Sequence, residues 1–270
     1  MSIEAPGSGT VPLDFWSGSI RNRPFREQVD AAAAGGFSRM AVSPENYADT
    51  VASGMVAKDM RRYAADRGVA FGFLDSLWSW APVSGRLDDQ VDEGLRRRWA
   101  TTVDTSLDIC DILEVGSIVV CAGYDADTVE QSRLADCFAQ LCAKAWTRDL
   151  RVEIEPMPFF GCWDVTDAWR LISDAELPRN AGIILDAWHF YRAGSTPEML
   201  ASIPGEFLQT LQLVDAGAKP ASVSLIDDCM RYRLFPGEGE LPLTEFVQAV
   251  LAKGHVRSIG RRSSPIVRRR

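Results

Sequence analysis

The sequence predicts an α/β protein built as a single (β/α)8 barrel, with parallel strands inside and helices outside. Short apolar runs alternate about eight times with segments whose apolar residues recur every three or four positions, and that alternation calls for a parallel sheet covered by helices. The 270 residues show no composition break that would mark a linker, and a barrel needs about 250. No G-x-G-x-x-G follows the first strand and no Walker motif occurs, so nothing marks the nucleotide crevice of an open doubly wound sheet.

The elements follow in order. Residues 1–10 read as a flexible start without the basic and apolar regions of a signal peptide. Val11 to Trp16 is the first strand. Pro24 to Ala34 is a helix, with Pro at its start and Gly35-Gly36 at its end. Phe37 to Val42 is strand two, a helix covers about 48–67, and Val69 to Leu74 is strand three. A loop bearing Trp78, Trp80 and Pro82 leads to a helical stretch over about 88–113, and Ser117 to Cys121 is strand four. Leu134, Phe138, Leu141 and Ala145 mark the apolar face of the next helix. Strand five is Arg151 to Glu155, a helix runs from about Asp167 to Asp174, and strand six ends in Ile183-Ile184-Leu185-Asp186. A short helix near Pro197 precedes strand seven, Phe207 to Leu213. A helix from Leu243 closes at Gly254, and His255 to Ile259 is strand eight, giving a barrel over 11–260 and an arginine-rich tail over 261–270.

Bulk properties narrow the function. The chain is 46% hydrophobic and 24% charged, with no apolar run near the ~18 residues of a membrane span. A cytoplasmic protein is expected. Six cysteines without a CxxC pair point to reduced thiols rather than a structural zinc site. Six arginines and no acid lie between Arg257 and Arg270, so the rest is more acidic than the net charge of −8 suggests. An acidic body argues against nucleic acid as a partner. A small-molecule ligand is expected, and nothing opposes homo-oligomerisation.

Side chains alternate along a strand, which sorts the polar residues. Val152 and Ile154 face the outer helices, so Glu153 and Glu155 face inward. By the same rule Asp186 and Gln212 face inward at the ends of strands six and seven. Glu155, Asp186 and Gln212 thus meet at one mouth as oxygen donors suited to Mg²⁺ or Mn²⁺, with His189 close enough to admit Co²⁺. Glu153, one layer deeper, is a buried carboxylate with no partner evident from sequence. Arg231 and Arg233 precede the tight turn Pro236-Gly237-Glu238-Gly239 and could hold an anion or polyol. Trp16, Trp78, Trp80, Trp163 and Trp188 fall at strand ends or the loops after them, where aromatic walls suit a ring-shaped ligand. The candidate substrate contacts are Trp16, Trp188, Arg192, Arg231 and Arg233.

Four segments together resemble the xylose isomerase-like TIM-barrel family: Glu153-Ile154-Glu155-Pro156, Asp186-Ala187-Trp188-His189, Gln212-Leu213-Val214-Asp215-Ala216 and Arg233-Leu234-Phe235-Pro236-Gly237-Glu238-Gly239. The resemblance implies a divalent metal held by Glu155, Asp186, the strand-seven residue and a Glu ending strand eight, with His189 binding substrate beside it. Glu155 and His189 are then the catalytic pair. Many members carry His on strand seven; Gln212 is similar to the 3-dehydroshikimate dehydratase branch. At strand eight Arg261-Arg262-Ser263-Ser264-Pro265 stands where the Glu is expected, and guanidinium cannot ligate a metal. The eighth unit therefore reads as altered or truncated. Three functions follow: a metal-dependent isomerase or epimerase of a sugar or polyol first, a dehydratase of a 3-dehydroshikimate- or inosose-like ketone second, and a ligand-binding barrel without turnover third.

Overall fold

The computed structural model describes residues 2–5, 9–82 and 93–261. The barrel strands are β1 (Gly9–Trp16), β2 (Arg39–Val42), β3 (Ala70–Leu77), β4 (Ser117–Cys121), β5 (Arg151–Glu155), β6 (Ala181–Asp186), β7 (Leu208–Leu213) and β8 (Ser258–Arg261). Each pairs in parallel with the next, and β8 also pairs with β1 through Leu13↔Ile259 and Asp14↔Gly260. That last ladder closes the sheet and leaves the barrel without an edge. A short strand, Ser2–Ala5, pairs antiparallel with β1, so part of the segment read as flexible is hydrogen-bonded.

Several boundaries differ from the sequence reading for local reasons. The helix expected over 48–67 is two, Pro44–Ala52 and Ala57–Ala65. Gly54, at φ +94°, turns the chain between them. Within the stretch read as helical over 88–113 lie Glu93–Ala100 and Val103–Leu113, the second capped by the Thr102 hydroxyl on Thr105 N–H at 3.2 Å; its start at 88–92 lies outside the described residues. A helix at Leu225–Arg231, capped by Ser224, fills part of what reads as a long loop. β8 begins at Ser258 rather than His255. The arginine-rich tail from residue 262 onward lies outside the described residues, as does the question of how the eighth unit ends. No described helix is long and apolar enough to cross a membrane.

Two apolar clusters make the outer and inner layers of the core, and a third, of Trp78, Trp99, Cys121 and Met157, lies apart from both. Outward-facing strand residues such as Ile118, Ile154, Leu185 and Leu211 pack against helix residues such as Val29, Leu107, Phe138, Ile172 and Phe246. Phe138 and Phe246 have no exposed surface, and truncating either to Ala would cost about 3–5 kcal/mol. Inside the barrel Trp16, Ala41, Phe73, Val119 and Ile184 form an apolar plug.

The barrel interior also holds charged side chains. Arg39 donates to both Asp14 oxygens, at 2.7 and 3.0 Å. Glu153 finds the partners its sequence does not reveal, the hydroxyls of Thr210 and Ser117 with Arg151 nearby. Burial nonetheless raises the Glu153 carboxyl above the usual carboxylate range, outweighing those groups.

Candidate active site

Three features of the backbone gather the polar residues. Glu155 ends β5 and Asp186 ends β6, and Asp186 sits opposite Gln212 in the β6–β7 ladder. Asp186 is also the N-cap of the helix Ala187–Arg192, its Oδ1 accepting from His189 N–H at 3.0 Å. That cap explains the Asp-x-x-His spacing, because it fixes the first turn that carries His189 over the strand end. An antiparallel bridge between Asp215 and Leu234 lays the later loop against the end of β7. Asp215 Oδ2 accepts from Gly237 N–H at 2.9 Å, and a Cβ on Gly239 would lie 2.4 Å from Asp215 Oδ1. The Pro-Gly turn therefore serves to place Arg233.

Glu155, Asp186 and His189 are each about 2% exposed, and one ligand atom from each lies within 4.8 Å of the others. His189 Nε2 is 3.5 Å from Glu155 Oε1. Arg233 enters the same cluster: its Nη1 donates to Asp186 Oδ2 at 2.6 Å, and its Nη2 lies 3.1 Å from both His189 Nε2 and Cys229 Sγ. Arginine has donors only, so His189 Nε2 accepts in this arrangement and carries a lone pair.

The cluster fits a divalent cation. Two carboxylates and an imidazole converge within reach of one ion, Gln212 is fully buried beside Asp186, and oxygen-rich donors with one nitrogen suit Mg²⁺, Mn²⁺ or Co²⁺. Arg233 already partly neutralises Asp186, so a cation bound there competes with it for Oδ2.

Glu155 and His189 open onto a cleft that has two kinds of wall. Trp78, Met157, Phe159 and Phe160 make it apolar on one side. Trp78 and Phe160 stack edge to face at 5.2 Å, and Phe159 packs against His189 at 5.6 Å. Arg21, Asp75 and Ser76 are polar members of the lining.

The expected substrate contacts separate. Arg233 reaches the cluster. Trp188 is fully buried beneath it, its ring centroid 5.1 Å from the guanidinium carbon and its Nε1 donating to Asp228 at 3.0 Å. Trp16 lies inside the barrel and donates to Asp75. Arg192 turns away from the cleft and binds Asp228 at 3.0 Å and the Gly217 carbonyl at 2.9 Å. Arg231 has 74% of its side chain in solvent and pairs with Asp227. Sequence reasoning missed Arg21, Asp75 and Asp228. The Ser224-x-x-Asp227 spacing announces a helix start there, but nothing local to Asp228 points to Trp188 and Arg192 as its partners.

The model of the xylose isomerase-like TIM barrel family matches residues 29–259. The chain belongs to this family. Two curated relatives are named 3-dehydroshikimate dehydratase: one from Pseudomonas aeruginosa, 27% identical over 233 residues, and one from Pseudomonas putida, 24% identical over 231. Each alignment covers 85% of this chain but 34% of the relative, so the chain spans about a third of their length. Among solved structures, a xylose isomerase-like TIM barrel/4-hydroxyphenylpyruvate dioxygenase fusion protein superposes with a TM-score of 0.79 at 20% identity, covering 96% of this chain and 40% of that one. An IOLI protein with a bound zinc atom gives 0.77 at 16%, covering 93% and 88%. Both likenesses show the same barrel fold.

Proposed function

We propose that this family member is a dehydratase acting on a cyclic hydroxy-ketone of the 3-dehydroshikimate class. The observation that carries the reading is a single proton-transfer pair, His189 and Glu155, facing an aromatic wall. A ring that flattens as it loses water fits against Trp78, Phe159 and Phe160. The names of the two curated relatives and the Gln at position 212 support the same reading.

Glu155, Asp186 and Gln212 would hold the divalent cation, which when bound supplies Lewis acidity toward the substrate ketone. His189 Nε2, with its lone pair, takes the proton from the carbon next to the ketone. Glu155 Oε1, 3.5 Å away, stabilises the imidazolium that forms. The released electron pair becomes a ring double bond as the neighbouring C–O bond breaks, and the imidazolium returns its proton to the departing hydroxyl as water. Loss of one further ring proton to solvent, with protonation of the ketone oxygen, yields a dihydroxybenzoate. Buried walls keep bulk water from the pair.

Epimerisation of a ketose is the second reading, favoured by family membership. It needs a proton carrier on each face of the substrate. At the end of β8 the described residues offer Gly260 and Arg261 instead of a carboxylate, and Asp75 is tied to Trp16. One base suffices for the elimination.

The test is incubation of the Mn²⁺-loaded protein with 3-dehydroshikimate, following the ultraviolet band of the aromatic product. Turnover that falls about 10²–10⁴-fold in His189→Asn is expected. No turnover of the ketone, with interconversion of ketoses by the same preparation, would replace this reading by the second.

A further inference from the structure

We infer that Arg39, Arg151 and Arg257 form a binding site for a small tetrahedral oxyanion, phosphate or a phosphate monoester, at the end of the barrel opposite the catalytic mouth. The site is independent of the dehydratase reading. Glu155 and Asp186 come from strand ends, whereas these arginines come from strand starts. Arg39 is the first residue of β2, Arg151 is the first of β5, and Arg257 immediately precedes β8. In the closed order, β2, β5 and β8 lie three, three and two strands apart, so the three residues are spread around the rim.

Two of them point into the barrel. Arg151 shares the inward face of β5 with Glu153 and Glu155 by alternation. Arg39 reaches inward to Asp14, which has no exposed surface. That pair is closely seated, since a Cβ on Gly72 would lie 2.7 Å from Asp14 Oδ1 and 3.0 Å from Arg39 Nη2. Asp14 takes Arg39 Nε and Nη2, and leaves Nη1 for another acceptor on a side chain that is 28% exposed.

Arg151 is the residue that calls for a ligand. Its Nε is buried without an acceptor, and its guanidinium makes no ion pair among the described residues. Of the acids nearby, Asp14 is taken by Arg39, Glu153 bonds to the hydroxyls of Thr210 and Ser117, and Asp149 is exposed to solvent. Burial holds the Arg151 guanidinium below the usual arginine value; Glu153 opposes this, and the positive charges of Arg257 and Arg39 add to it. An anion seated among the three would give the buried Nε its acceptor and offset their repulsion. Donors approaching from several sides suit a tetrahedral ion, because a carboxylate presents both oxygens in one plane.

The experiment is calorimetry on the full chain without added metal, with inorganic phosphate, glycerol 3-phosphate and acetate as probes. One saturable site is expected for a phosphate probe, the tighter of the two naming the source, with acetate at least about tenfold weaker. Arg151→Met should weaken the phosphate probe by about tenfold or more. Arg257→Met should weaken it by about threefold or more, and because it alters an exposed side chain it decides the matter if Arg151→Met does not fold. Arg231→Met, at the catalytic end, should match the unmodified protein. The absence of saturable binding, acetate as tight as phosphate, affinity unchanged in Arg151→Met or in Arg257→Met, or an equal loss in Arg231→Met would each overturn the inference.

Discussion

Replacing Asp228 with alanine isolates the contact that takes Arg192 out of the substrate site. Asp228 is 1% exposed and accepts three bonds: from Trp188 Nε1 at 3.0 Å, Arg192 Nε at 3.0 Å and Ala221 N–H at 2.6 Å. Alanine strands a guanidinium whose side chain is 5% exposed. Removing one partner of a buried pair costs about 3–5 kcal/mol, because the other charge remains without compensation. Arg192 keeps the carbonyls of Gly217 and Lys219, which places the expected loss near 4 kcal/mol, within that range. For a domain of this size that is a fall in Tm of about 10 °C. Urea unfolding followed by circular dichroism reads it directly. Arg192→Met added to Asp228→Ala should cost less than the sum of the two single changes by about 2 kcal/mol, since the double change leaves no stranded charge. Asp228→Ala within 1 kcal/mol of the unmodified protein would refute the argument. So would Arg192→Met raising KM at unchanged stability, which would return Arg192 to the substrate.

Three further outcomes are expected. Arg233→Met should tighten Mn²⁺ binding by about tenfold, because Asp186 Oδ2 is freed; titration calorimetry with the metal alone measures it. Glu153→Gln should stabilise the fold by on the order of 1 kcal/mol at pH 8, with the gain fading as pH falls toward 4. The sign follows from the raised folded-state pKa: burial penalises the ionised Glu153, the penalty is full above that pKa and vanishes below the unfolded one. Denaturation at the two pH values would contradict this by showing a larger gain in acid. Gly18→Ala should destabilise by about 1–3 kcal/mol, since its Cβ would sit 2.3 Å from the Trp16 ring, and a thermal melt detects the loss.

What the sequence disclosed depended on period and position. Val152 and Ile154 against Glu153 and Glu155, or Leu211 and Leu213 against Gln212, state their faces by alternation alone, and the closed barrel follows that pattern. The convergence of Glu155, Asp186 and His189 was legible because strand ends lie at one mouth by topology. The arginines were not, because a loop side chain's direction is set by contacts distant in sequence. Arg233 turns inward through the Asp215–Leu234 bridge, whereas Arg231, two residues earlier, ends a seven-residue helix and faces solvent. Arg21 belongs to no motif, and only the folded mouth brings it into the same cleft as His189. Glu153 had partners all along, but they come from β4 and β7 and cannot be paired without the register.

Asp186 ends a strand, caps the helix that carries His189, and neutralises a buried guanidinium. Substituting it would unbalance Arg233 and fray that helix even in a molecule with no reaction to perform. Drift at this position is therefore restrained by folding as well as by chemistry. A descendant of this chain that lost its activity would be expected to keep the aspartate long after Glu155 had changed. Persistence of Asp186 among relatives would then record the architecture of the β6 end, and variation at Glu155 would be the sharper sign of which lineages still turn over a substrate.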